Sequence, residues 1–548
     1  PTIQPVMKLK IPVWVKNTFA AQDPGTLIEN QESESTEKIR GISSINKISL
    51  LSLEGSGMVG IPGFSKRFFE ALALQQINVI LITQSSSEHS ICVAVQSAEA
   101  EKAKAACDAA FETEIASGRV DPLVVEDEHA IVALVGDKMK SHPGISGQMF
   151  SALGRNGINI RAIAQGSSER NISAVIAARD VKKALNVLHE SFFESVKKQL
   201  NIFITGCGNV GGKLLGQIAQ QQAWLEKNLN LQLRVVGLAN SRNMVLSEEA
   251  INLATWKETL AAGETMNLDQ YQQNIISRNL RNSVFVDVTA NDGVAGSYER
   301  LLAKSISVVA CNKIAASSEY SNYRKLKNLA REFNANYLFE TNVGAGLPVI
   351  SSLNDLIRSG DIVHRIDAVL SGTLNYVFNH YNGTKPFADV VRDAQNEGYT
   401  EPDPRLDLGG TDVMRKILIL AREAGNELNM EDIENDGFLP ESCFEGSVED
   451  FYTEMAKHEA HFKALYDAAH EQDCKLKFVA SYKDGKAKVG LQQIPTWHDF
   501  YHLYGKDNIV LYFTMRYPEH PLVVKGAGAG ADVTASGVFA DIIRVASQ

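Results

Sequence analysis

The chain has 548 residues, 44% hydrophobic and 22% charged, which at about 150 residues per domain predicts three to four domains and excludes a mostly disordered chain. Its 54 basic and 65 acidic side chains leave a formal net charge of −11, without the basic face that a nucleic-acid or anionic-membrane binder needs. No apolar run approaches the roughly 20 residues of a membrane span and no secretory leader opens the chain. The six cysteines are scattered without C-x-x-C spacing, so structural zinc and a disulfide scaffold are both poor readings. A cytoplasmic protein with neither nucleic acid nor membrane as partner is expected. Residues 1–40 enter an extended apolar stretch, Ile11 to Asn17, straight from Pro1, and read as a junction left from something longer. The acidic segment Glu29–Glu37 reads as a surface loop or linker.

An internal repeat follows. Pro62-Gly63-Phe-Ser65 is answered by Pro143-Gly144-Ile-Ser146, Phe69-Glu-Ala-Leu72 by Phe150-Ser-Ala-Leu153, Ile77-Asn78-Val79 by Ile158-Asn159-Ile160 and Gln84 by Gln165, always 81 residues on. Each copy reads strand, glycine turn, helix, strand, turn, strand, helix. In the second copy the strands are Ala130–Val135, Ile158–Ala164 and Ile172–Ala177. Its helices are Ile145–Arg155, stopped at Gly157, and Val181–Leu188. This ferredoxin-like βαββαβ order, over 41–121 and 122–196, resembles the ACT domain, a small-molecule-sensing module, in tandem. The resemblance puts Asn78, Asn159, Gln84 and Gln165 at inter-strand edges where family members capture an amino acid. Two domains with only structural roles are the alternative.

Asn201–Thr205 then runs into Gly206-Cys-Gly208-Asn-Val-Gly211 and a helical Lys213–Leu225. Between a strand and a helix this spacing has a mechanism. Gly206 permits the tight turn, Gly208 lets backbone approach a pyrophosphate, Gly211 packs helix on strand, and the helix N-terminus faces the phosphates. The second strand, Gln232–Ala239, ends in Asn240-Ser241-Arg242 without the Asp or Glu that an NAD site places there. Arg242 can pair with a 2′-phosphate, which favours NADP and leaves NAD open; Asn240 and Ser241 can do the same job by hydrogen bonding. Val284–Thr289 and Ile306–Ala310 add two strands to a Rossmann-type parallel sheet over 197–340, with 521–548 expected to return to it.

After Ala310 comes Cys311-Asn312-Lys313, a lysine at the carboxyl end of a strand, where open α/β sheets bind ligands. Glu340-Thr-Asn-Val343-Gly-Ala345-Gly-Leu347-Pro joins a carboxylate to successive carbonyls able to bind a hard monovalent cation, although residue pattern alone prefers a plain strand-to-helix turn. The loop Gly398-Tyr-Thr-Glu401-Pro-Asp403-Pro-Arg-Leu-Asp407 presents carboxylates before a helix on which Asp412 and Lys416 are i and i+4. Such a pair is commonly a surface ion pair. Here Val413, Ile417, Leu420 and Ala421 make the opposite face apolar, so the charged face lines a cleft, and a shielded lysine among carboxylates can give and take a proton.

The motifs G-C-G-N-V-G, C-N-K, T-N-V-G-A-G-L-P, L-S-G-T-L-N-Y, G-Y-T-E-P-D-P-R and G-A-G-A-G-A-D-V-T-A resemble the homoserine dehydrogenase family from about residue 200 to the end. With tandem ACT domains upstream, the chain is similar to the bifunctional aspartokinase–homoserine dehydrogenases, and its opening residues look like the end of a kinase unit whose catalytic domain is absent here. The resemblance implies NADP-dependent, reversible reduction of aspartate 4-semialdehyde to homoserine. It makes Lys416 the proton-transferring lysine, sets Lys313 near the reacting oxygen and the nicotinamide, and gives Glu401, Asp412 and Asp407 to the substrate. Asn209, Val210, Thr289, Gly398 and Gly530 join Gly206, Gly208, Gly211, Arg242 and Lys313 as nucleotide contacts. Glu340, Val343, Ala345 and Leu347 match a cation site for an ion such as sodium. Leu406 stands where the family commonly has a second acid. An inserted α+β substrate-binding domain, 341–520, is expected to pair subunits into a dimer or tetramer, with threonine as effector.

Alternatives remain at this point: a silent ACT-domain sensor on a degenerate dehydrogenase fold, or a monofunctional dehydrogenase of another amino acid. His458-x-x-His461 and His498-x-x-x-His502 read as solvent-facing helix histidines, and Cys207 and Cys311 as small buried residues.

Overall fold

The computed structural model describes residues 3–29, 39–85, 87, 89–136, 139, 142–165, 171–193 and 198–547. The chain divides into two units, Pro1–Gly154 with Ile158–Ser195 and Arg155–Gly157 with Val196–Gln548. Beyond Glu29 the acidic stretch of the opening segment lies outside the described residues, as do Ser86, Glu88 and 166–170 of the paired polar turns. The apolar opening forms a small antiparallel hairpin, Val13–Val15 with Thr26–Ile28.

In the first unit, β1 (Ile39–Glu54), α1 (Phe64–Leu74), β2 (Leu81–Gln84), β3 (Ser90–Gln96), α2 (Ala100–Ala110), β4 (Val124–Gly136), α3 (Ile145–Arg155), β5 (Ile160–Ala164), β6 (Asn171–Ala177) and α4 (Val181–Phe192) alternate as the repeat predicts. One antiparallel sheet runs β2-β3-β1-β4-β6-β5. The cores keep the 81-residue echo: Phe68, Leu72, Ile91, Ala103 and Cys107 are buried in one copy, Met149, Leu153, Ile172, Ala184 and Leu188 in the other. The difference lies in β1 and β4, which serve both copies. The second half of β1 pairs with β3, while its first half pairs with β4 from Ile39↔Gly136 to Ile45↔Ile131. The strand thus begins before residue 41, and its first half completes the second copy. Both strands break register near their middles, where Lys47 and Glu128, 81 residues apart, each take a φ of 60°. A polar kink in mid-strand hides the continuity from a reading of apolar alternation.

The second unit holds two sheets. β7 (Lys198–Thr205), α5 (Asn209–Asn228), β8 (Leu231–Ala239), β9 (Asn243–Leu246), β10 (Glu264–Thr265), β11 (Ser283–Asp287), β12 (Ser307–Ala310) and β13 (Tyr337–Leu338) make a sheet ordered β10-β9-β8-β7-β11-β12-β13. From β8 to β13 it is parallel and covered on both faces, hence its unbroken apolar strands. The β9 and β10 edge is antiparallel.

Next come α6 (Val349–Arg358), β14 (Val363–Val369), α7 (Gly372–His380), α8 (Phe387–Asn396), α9 (Thr411–Glu423), β15 (Ile433–Asp436), β16 (Lys475–Lys483), β17 (Lys486–Ile494), β18 (Asp507–Thr514), β19 (Leu522–Ala527) and α10 (Ala531–Ser547). Their sheet runs β15-β17-β16-β14-β18-β19. The return to the nucleotide sheet starts later than residue 521: Leu522–Ala527 first adds an edge strand here, pairing with β18. Only α10 crosses back, burying Ala535, Val538 and Ile542 with Leu200, Ile202 and Leu214. No described helix is long and apolar enough to cross a membrane.

Candidate active site

The glycine turn between β7 and α5 has the shape a dinucleotide needs. Gly206 takes a φ of +101°, and a Cβ there would sit 2.7 Å from the Val288 carbonyl. At Gly211 a Cβ would lie 2.0 Å from the Gly206 oxygen, whereas one at Gly208 would meet nothing within 4 Å. The first and third glycines are therefore required by packing, and the second faces open space where phosphates can approach. No side chain caps α5, so the N–H groups at Asn209, Val210 and Gly211 are free to face an anion. These residues fit a dinucleotide.

Thr289 closes the turn from β11, its methyl 2.9 Å from a Gly206 Cβ. It is held by Asp287, a wholly buried carboxylate that accepts from Thr289 N (2.8 Å), Tyr298 Oη (2.5 Å) and Asn312 Nδ2 (3.0 Å). Burial pushes the Asp287 carboxyl up, against these donors. One side chain thus ties the Thr289 turn to the Asn312–Lys313 turn. At the end of β8, Asn240 Oδ1 accepts from Arg242 N and Asn243 N at 2.8 and 2.7 Å. That leaves Ser241 and the exposed Arg242 at the tip.

The chemistry gathers on α9. Gly410, at a φ of +79°, starts the helix, and Asp412 in its first turn reaches two ammonium groups, Lys416 Nζ at 2.8 Å and Lys313 Nζ at 3.4 Å. Burial alone would raise the Asp412 carboxyl; Lys416 first and Lys313 second outweigh it and hold the group far below the usual carboxylate range. The stability this ion cluster contributes is therefore present above the unfolded value of about 4 and lost only as pH falls below it. Lys416 is 8% exposed and also donates to the Leu370 carbonyl at 2.7 Å. Two of its three protons are committed, and one is left for a substrate.

The carboxylate loop divides its labour. Asp407 accepts from Glu401 N at 2.8 Å and Thr373 Oγ1 at 3.2 Å, and burial raises its carboxyl. Its oxygens hold the loop and present Glu401, whose carboxylate is exposed. Asp403 grips Arg405 at 2.7 and 2.8 Å, a local brace. Gly398, at a φ of +75°, ends α8 in the manner of a C-cap, with Tyr399 N donating to Ala394 O. Gly530, at +121°, opens onto free space before α10. Thr373 and the Leu370 carbonyl escape a reading by residue type. Only the L-S-G-T-L-N-Y motif hinted at them.

In the Glu340–Leu347 segment the side chain of Glu340 is engaged within the protein. Buried Glu340 accepts from Ile350 N (2.6 Å), Ser351 N (2.9 Å) and Arg544 Nη1 (2.9 Å), and the Leu347 carbonyl accepts from Val349 N (2.8 Å). Of the expected ligands, the Val343 and Ala345 carbonyls have no donor among the described residues, and the Leu347 carbonyl keeps a second lone pair. The histidines depart from the expected solvent-facing helix positions: only His461 lies exposed on a helix, where it meets the Phe438 carbonyl, while His458 stands at the junction before that helix against Ser442, and His498 and His502 lie in turns. Cys207 and Cys311 are half-buried rather than fully buried, and burial pushes their thiols up to about 12.

In the first unit, Gln84 and Gln165 line one cavity of about 720 Å³ with Ser43, Ile131, Asn171 and Ser173. Asn78 and Asn159 are exposed and outside that lining. Gln165 Oε1 accepts from Ser146 Oγ at 3.2 Å.

Residues 206–340 match the family model of the homoserine dehydrogenase NAD-binding domain, 348–543 that of homoserine dehydrogenase, and 51–111 and 132–192 that of the ACT domain. A bifunctional aspartokinase/homoserine dehydrogenase from Haemophilus influenzae is 38% identical over 547 residues, 99% of this chain and 67% of that protein. The chain belongs to the bifunctional aspartokinase/homoserine dehydrogenase family. A chloroplastic relative of Zea mays, bifunctional aspartokinase/homoserine dehydrogenase 1, is 41% identical over the whole chain, which spans 60% of that relative's length. Among solved structures, a Candida auris protein of unknown function shares 34% identity over 64% of this chain and 99% of its own, with a TM-score of 0.60. A hyperthermophilic archaeal homoserine dehydrogenase in complex with NADPH shares 25%, over 64% of this chain and 98% of its own, with a TM-score of 0.51. The glycine turn of this family member is thus that of a nicotinamide-nucleotide-binding domain, preceded by small-molecule-binding ACT domains.

Proposed function

We propose that the second unit is a homoserine dehydrogenase that interconverts aspartate 4-semialdehyde and homoserine with NADPH. The observation that carries this reading is the Lys416–Asp412–Lys313 cluster, at 2.8 and 3.4 Å, with Asp407 linking Asp412 to the exposed Glu401. The nucleotide supplies the hydride that reaches the aldehyde carbon. Lys416 gives its proton to the oxygen as negative charge develops there, and takes it back in the oxidative direction. Asp412 keeps that lysine oriented, Lys313 adds positive charge near the same oxygen, and Glu401 pairs with the substrate's amino group. Asp407 serves the substrate by holding Glu401. The glycines, Asn209, Val210, Thr289, Gly398 and Gly530 hold the nucleotide; no step runs through a cation at Glu340. Loss of NADPH absorbance on adding the semialdehyde tests the reading, and a chain that leaves NADPH unchanged contradicts it.

Arg242 reads the 2′-phosphate. Arg242→Ala is expected to weaken NADPH binding about tenfold, because the charge-assisted hydrogen bond to that phosphate disappears, and NADH binding hardly at all. Equal weakening in fluorescence titrations with both coenzymes would remove it from that role.

The tandem repeat binds threonine and lowers dehydrogenase activity, with Gln84 and Gln165 as contacts in their shared cavity. Effector must favour the less active arrangement, and a tenfold preference corresponds to about 1.4 kcal/mol. Calorimetry with threonine is expected to show binding that Gln84→Ala and Gln165→Ala abolish; no heat and no inhibition at about millimolar threonine, the weak end of ordinary affinities, contradicts it. Binding without inhibition points to the kinase portion carried by the longer relatives. The substrate domain's sheet pairs subunits into a dimer or tetramer.

A further inference from the structure

Beside the lysine that carries the proposed proton transfer lies an amide with no place in that account. Asn508, near the start of β18, is 1% exposed. Its Nδ2 donates to the Leu370 carbonyl at 3.3 Å, the same oxygen that accepts Lys416 Nζ at 2.7 Å. The amide also fills the space beneath the Gly528 turn, where a Cβ would come within 2.1 Å of Asn508 Cγ and Nδ2. That turn joins β19 to Gly530 and α10. Asn508 therefore bridges the end of β14, where Lys416 is anchored, and the glycine turn before α10.

The second atom of the amide makes the case. Asn508 Oδ1 is buried and finds no donor among the described residues. A buried acceptor without a donor costs folding free energy, and a leucine of similar size would avoid that cost. Stability therefore does not explain the amide; the donor on its other side does. A carbonyl oxygen has two lone pairs. With Asn508 on one, the Leu370 carbonyl keeps a single direction, and the other lone pair faces Lys416. Among the described residues Lys416 pairs with Asp412 on its own helix, and Asp412 in turn faces Lys313 from the turn after β12 and Asp407 on the loop before α9.

We infer that Asn508 is a positioning residue for the proton-transferring lysine: it fixes the Leu370 carbonyl so that Lys416 keeps its third proton aimed at the substrate oxygen. The inference rests on the dehydrogenase reading. The test is Asn508→Leu, measured for turnover, NADPH affinity, urea midpoint and labelling of each lysine by limiting acetic anhydride, read by peptide mass. The expected result is a kcat about tenfold lower, from lost orientation, with NADPH affinity within about twofold. The urea midpoint should hold or rise, because an unsatisfied acceptor has gone. Labelling of Lys416 should rise at least about threefold while that of exposed Lys483 does not change, as expected for an amine freed from a fixed acceptor. A kcat within about twofold of the parent, or a midpoint that falls along with kcat, makes Asn508 a structural residue and overturns the inference. A parent chain without turnover contradicts the dehydrogenase reading instead. Lys416 labelling then decides alone, an unchanged rate overturning the role of Asn508.

Discussion

Lys416→Ala is expected to lower kcat by about 10²–10⁴-fold, the usual worth of a positioned general acid–base, while NADPH binds as before. The lysine is buried between Asp412 and the Leu370 carbonyl, and none of its hydrogen bonds or ion pairs among the described residues reaches the glycine turn proposed for the phosphates. Its loss removes the proton donor and leaves Asp412 with Lys313 alone, so the remaining ammonium lies 3.4 Å from the carboxylate in the wrong place to replace it. Steady-state kinetics at saturating substrate, beside a fluorescence titration with NADPH, separate the two effects. Turnover within about threefold of the parent would take Lys416 out of proton transfer, and a parallel loss of NADPH binding would mean a collapsed site.

Gly211→Ala is expected to weaken NADPH binding at least about thirtyfold, since a Cβ at this packing position must push the helix off the turn and displace the Gly206–Gly208 backbone that receives the pyrophosphate. The added methyl would sit 2.0 Å from the Gly206 oxygen and 3.3 Å from Val288 Cγ2. Neither neighbour is the far end of a flexible side chain, so the turn itself has to give. The ACT unit has its own cores, and its thermal transition should be unaffected. Affinity within about threefold of the parent would show that the turn tolerates a Cβ and does not cradle the phosphates closely.

The features legible in the sequence are those written in local pattern. The 81-residue echo survives as paired core positions such as Phe68 and Met149. The glycine spacing survives as two packed glycines and an open one, and the i, i+4 pair as a real ion pair. What stayed hidden depends on contacts distant in sequence or on backbone. Glu340 looked free for a cation, yet its partner Arg544 stands 204 residues on. Asp407 reads as a substrate carboxylate; the fold adds that it also holds the backbone of Glu401. The Leu370 carbonyl carries no residue-type signal at all, and Asn508 becomes informative only when Leu370 and Gly528 are brought against it. β1 shows the same limit on a larger scale, since its first half completes a copy whose own residues begin far downstream.

The central claim is hydride transfer between a nicotinamide nucleotide and the aldehyde carbon of aspartate 4-semialdehyde at the Lys416 cluster. Its most direct test uses NADPH deuterated at C4, prepared separately on each face, and reads the product by mass spectrometry. The account predicts homoserine carrying one deuterium at its hydroxyl-bearing carbon with one of the two labelled nucleotides and none with the other. Unlabelled homoserine from both nucleotides, or no homoserine from either, would contradict it.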